Sequence, residues 1–160
     1  MKLKNDKGYV LTDVSISVII LLILTPVIMG LVYRINSTKR NSEIKSEAIN
    51  IAVNSLEAAK GIGVSDLIDS NENKAETLIL NKLNEENYNN KLNIDQTEGK
   101  TATFNTDKGS YMLLLNITDF ADAENAPDDV MRNIVKTVNA TVKYRTNGTD
   151  QEINLSTVIR

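Results

Sequence analysis

Three hydrophobic rhythms succeed one another along this chain. From Val14 to Tyr33 apolar residues dominate and no residue carries a formal charge. About 20 residues rising 1.5 Å each span about 30 Å, the thickness of a bilayer's hydrocarbon core. Beyond Tyr33 the rhythm becomes helical. Ile44, Ala48, Ile51, Ala52, Ser55, Leu56 and Ala59 fall on one stripe, with Glu43, Glu47, Asn50, Asn54 and Glu57 opposite. That spacing predicts an amphipathic helix with one dry and one wet face. Gly61-Ile62-Gly63 supplies a stop. No loop signal separates the two runs, so the pattern predicts one helix from Tyr9 to Lys60, lipid-facing over 9–33 and amphipathic over 34–63.

The third rhythm occupies residues 64–160, the predicted globular head. A shorter helix is expected from about Asn73 to Glu86, with Ala75, Leu78, Ile79, Lys82 and Leu83 on one face. Glu85 to Asn93 is Asn-rich and reads as a loop, as does the acidic, Pro127-containing stretch from Asp119 to Asp129. Strands are expected at Thr101–Phe104 and Tyr111–Ile117, flanking a turn at Asp107-Lys108-Gly109. Near the end, Val138, Ala140, Val142 and Tyr144 alternate with polar residues, and Asn147-Gly148 is a strong hairpin signal. Ile153, Leu155, Thr157 and Ile159 then share one face of the return strand. Such alternation predicts an antiparallel sheet with one covered face, and the apolar helix stripe is its natural cover. The fold class is α+β.

Composition narrows the function. At 160 residues the chain holds one domain plus the apolar segment, and about 125 residues remain for a modest core. Mean hydropathy is -0.22 with the apolar run included, so the rest is distinctly polar. A net charge of -3 and 4% aromatics give neither a basic footprint nor a stacking platform for nucleic acid. The chain has no Cys and no His, which removes disulfides, thiolate metal sites and the commonest general base. No catalytic grouping of carboxylates, Lys, Ser or Tyr is visible, so no enzyme, cofactor or metal is expected. The acidic clusters Asp66 and Asp69, and Asp119, Asp122, Asp128 and Asp129, lack a calcium-loop pattern and read as solvated loop charge.

The most informative stretch is Gly8-Tyr9-Val10-Leu11-Thr12-Asp13. Met1 to Gly8 is short and basic, with Lys2, Lys4 and Lys7, which favours a cytoplasmic start. Asp13 then lies just inside the apolar segment, where a carboxylate costs about 2–3 kcal/mol or more at the helix centre. Its position asks for a counter-charge. This arrangement resembles the class III signal of type IV prepilins and pseudopilins: glycine, an aromatic residue, two apolar residues, threonine and an acid. The family normally carries Glu where this chain has Asp13. Ala52-Val53-Asn54-Ser55-Leu56-Glu57 and the closing hairpin look more loosely like minor pilins and the I-type minor pseudopilin of type II secretion.

The resemblance implies a pilin fold, a long N-terminal helix on an antiparallel sheet head, and residues 1–8 as a leader. A prepilin peptidase would cut between Gly8 and Tyr9, and the new amine of Tyr9 would be methylated. Asp13 would pair with the amine of a neighbouring subunit, and Pro26, which removes one backbone hydrogen bond, would kink or loosen the stem. The implied product is a structural subunit of a type IV pilus or pseudopilus, at its tip or in its initiation. Its partners would be other pilin or pseudopilin subunits, the peptidase and membrane lipid. Its place would be the bacterial cytoplasmic membrane, crossed once with the head outside, and then the cell surface. A conventional signal peptide fits less well, since the apolar run is longer than usual and Met29 to Tyr33 offers no small-residue cleavage site. The competing reading is a signal-anchored extracellular binding module, an adhesin or sensor head that keeps its leader.

Overall fold

The computed structural model describes residues 7–63, 66–67, 74–88, 92–95, 99–119 and 135–160. Helix α1 runs from Lys7 to Ile62, helix α2 from Lys74 to Asn87. The strands are β1 (Asn93–Ile94), β2 (Thr101–Asn105), β3 (Ser110–Asp119), β4 (Lys136–Thr146) and β5 (Thr149–Ile159). They form one antiparallel sheet in the order β1-β2-β3-β4-β5. The layout is the expected α+β, a long N-terminal helix packed against an antiparallel sheet. The chain divides into two compact units, residues 1–40 and 41–160.

Within the second unit, sequence parity decides which face of the sheet is dry. Across the ladder Phe104 lies opposite Tyr111, Tyr111 opposite Tyr144, Leu113 opposite Val142 and Leu115 opposite Ala140. Because side chains alternate at period two, all of these point to one side. Ala102, Phe104, Tyr111, Leu113, Leu115, Val138, Ala140, Val142 and Tyr144 are all buried there. Their cover is the stripe read from the sequence: Ile44, Ala48, Ile51, Ala52, Ser55, Leu56 and Ala59 are buried without exception, and Ala58 joins them. Three alanines at zero exposure present little bulk, which suits close approach of a helix to a sheet. Ser55 meets its burial by donating to the Ala52 carbonyl at 2.7 Å.

The helix stop is as expected. Gly63 takes φ 86°, the left-handed conformation that closes helices at glycine. In the last hairpin Asn147 and Gly148 take φ 50° and 79°, the primed turn that matches strand twist, and eleven residue pairs follow without a bulge.

Three expectations need correction. The inner face of α2 is Ala75, Glu76, Ile79, Leu80 and Leu83. Leu78, expected inside, is 42% exposed, and Lys82 is only half-buried. Docking rotates the helix: the Thr77 hydroxyl donates to the Gly99 carbonyl at 3.0 Å, and Asn84 accepts from the Leu92 amide at 2.9 Å. Glu76, buried in the first turn, sits where unpaired amides give the helix its positive end. Second, the Asn-rich stretch expected as loop from Glu85 is helical to Asn87, and Asn93 opens β1. Third, Asp119, expected in a loop, ends β3 opposite Lys136. The leader residues 1–6, Asp69, and the remainder of the acidic stretch, 120–129, lie outside the described residues.

Candidate functional site: an exposed apolar stem

Every large apolar side chain described between Val14 and Ile35 is at least half exposed, from Leu24 at 50% to Tyr33 at 77%. Burying such side chains is worth about 25 cal/mol per Å², so a continuous surface of this kind is costly to leave in water. Among the described residues one helix, near the N-terminus, is long and apolar enough to cross a membrane.

The residues singled out from the sequence fall on this segment. Gly8 and Tyr9 lie in the first turns of α1. Asp13 is exposed one turn further on, and its carbonyl accepts a hydrogen bond from the Ser17 hydroxyl at 2.9 Å. Helix geometry continues through Pro26, and beside it the Thr25 hydroxyl donates to the Leu21 carbonyl at 2.7 Å. This is ordinary i−4 back-bonding; the carbonyl that Pro26 leaves without its helical amide is that of Leu22, one residue further on. Asp66 is exposed, and among the described residues no group of three or more acids is placed to hold a metal ion.

The second unit has its own polar features, which sequence reading missed. The wet stripe of α1 is only partly wet. Lys108, in the β2–β3 turn, reaches Glu47 at 3.1 Å. Asn54 is half-buried beside Tyr88. Tyr88, Phe104 and Tyr111 form a ring cluster with centroids 5.1 and 5.5 Å apart, and the Tyr111 hydroxyl donates to the Ile44 carbonyl at 3.4 Å. Burial pushes both tyrosines above the usual phenol pKa, with the negative charge of Glu47 adding to it. The Glu47 carboxylate, by hydrogen bond and charge, raises Lys108. These contacts clamp helix to sheet.

On the far side of the sheet an open groove of about 560 Å³ is lined by Thr103, Asn105, Ser110, Met112, Lys143 and Arg145 among others. Its charges are matched across the hairpin, Lys143 opposite Glu152 and Arg145 ion-paired with Asp150 at 3.5 Å.

Comparison with protein-family models, curated proteins and solved structures gives no match. The class defined by the structure alone is therefore a coarse one: an apolar helix able to cross a membrane, continued into the helix that covers an antiparallel sheet.

Proposed function

We propose that this chain is a minor pilin or pseudopilin, processed after Gly8 and assembled into a type IV pilus or pseudopilus. The observation that carries the reading is the continuity of α1 from Lys7 to Ile62. One helix presents a class III-like junction at its start, an exposed apolar surface next, and a core-forming stripe at its end. A subunit built this way can rest in the bilayer and exchange lipid for neighbouring stems without unfolding its head.

Asp13 gives the exchange its register. A carboxylate in an apolar layer is disfavoured in its charged form unless a counter-charge meets it. The amine released at Tyr9 of a neighbour would supply one: two unit charges at about 4 Å and an effective dielectric near 20 attract by about 4 kcal/mol before desolvation. The test is the mass of the mature N-terminus. A chain beginning at a methylated Tyr9, with Gly8→Val blocking the cut, is the expected result. Wild-type protein beginning at Met1 overturns the proposal and leaves an anchored binding module in its place.

A further inference from the structure

The charges around the apolar run are distributed unevenly. Between Asp13 and Glu43 there is no acidic residue, and the only cations are Arg34, Lys39 and Arg40. All three are exposed on α1 and belong to the same compact unit as the apolar run. Tyr33, immediately before them, is 77% exposed.

We propose that Tyr33, Arg34 and Arg40 form an interfacial anchor that selects anionic phospholipid at the far end of the membrane segment. The inference rests on the membrane reading above and goes beyond it by naming the lipid and the residues that hold it. From Val14 the apolar run rises about 30 Å, which sets Tyr33 and Arg34 at the boundary of the hydrocarbon. An amphipathic ring is stable at that level, with its body among acyl chains and its hydroxyl among headgroups. Arg40 lies about 9 Å further along the helix, just beyond a headgroup layer about 5–7 Å thick. Helical side chains lean toward the N-terminus, so the Arg40 guanidinium leans back toward the bilayer. A guanidinium presents a planar fork of donors that matches phosphate oxygens. Arg34 has no acid within eight residues of it on the helix, and Arg40 has Glu43 three residues further on; three cations against that one acid leave a net cationic surface for a lipid of net negative charge. Lys39 has a partner within the protein and is left out of the anchor.

The experiment reconstitutes the full chain in vesicles of equimolar phosphatidylcholine and phosphatidylglycerol and measures, with spin-labelled lipids, which one the protein holds at its perimeter. Wild type should prefer phosphatidylglycerol, with each arginine contributing up to about fivefold, the factor equivalent to about 1 kcal/mol per cation near an anionic surface. Arg34→Gln with Arg40→Gln should cut the ratio severalfold, down to what the basic leader (Lys2, Lys4 and Lys7) holds at the opposite surface; high salt should weaken the wild-type preference, and Lys60→Gln should leave it intact. Integrated protein whose selectivity is the same with and without both arginines overturns the inference and leaves the membrane reading standing. Protein stripped from the vesicles by alkaline wash overturns both.

Discussion

Ile51 is the position at which the packing of α1 on the sheet can be tested most sharply. It is fully buried, as are Ala48, Ala52 and Ser55 around it, so a change there has no route to water. Ile51→Val removes one methylene and should cost about 0.5–1.5 kcal/mol. Ile51→Asp loses the side chain's contacts, worth about 2–5 kcal/mol in large-to-small changes. It also buries a carboxylate with no partner, a further cost of about 3–5 kcal/mol when ionised. Against a total stability of about 5–15 kcal/mol this is enough to unfold the head or nearly so. Residues 41–160 are a compact unit, and a chain lacking Met1 to Tyr33 is expected to fold as a soluble monomer. Thermal melts of that form provide the assay, with about 4 °C expected per kcal/mol. The aspartate variant should recover part of its loss at pH 4, where the buried carboxyl can stay protonated, whereas Ile51→Asn should show no such recovery. An Ile51→Asp midpoint close to the parent's would refute the packing argument.

Other consequences can be checked independently. Asp13→Ala should remain inserted and folded but enter filaments poorly, while Asp13→Glu should be tolerated; equal incorporation of mutant and wild type, measured in sheared filaments, would refute the pairing with a neighbour's amine. Asn54→Asp should lower head stability by about 1 kcal/mol, since it replaces a donor-capable amide beside Tyr88 by a half-buried carboxylate that cannot donate, whereas exposed Asn50→Asp should be silent in the same melts. Stability should also fall as pH rises above about 10, because Tyr88, Tyr111 and Lys108 all have folded pKa values raised above their unfolded ones. Each binds its proton more tightly in the folded chain, so its contribution is complete below the unfolded pKa and disappears as pH passes the folded one. A melting midpoint unchanged between pH 8 and 11 would show that these groups do not couple to folding.

Much of this architecture was legible before any coordinates, for a definite physical reason. The stripe from Ile44 to Ala59 and the closing hairpin are long, strictly periodic elements, and their burial follows from geometry within each element. Asn147-Gly148 and Gly61-Ile62-Gly63 mark places where the backbone must take positive φ or stop a helix, and Asn147, Gly148 and Gly63 do so. Similarly, a run free of charge from Val14 to Tyr33 permits few fates other than an apolar environment. Where local signal is weak, neighbours decide. The face of α2 depends on its hydrogen bonds to Gly99 and Leu92, which is why Leu78 points out and Leu80 in. Strand β1 exists because β2 offers an edge to two residues that would not extend alone. The bond between Glu47 and Lys108 joins positions 61 residues apart. No periodicity links such positions. Periodic burial is a property of a segment and can be read from it; contacts between segments exist only once the chain has closed, and those decided which polar residues of α1 meet water and which meet the sheet.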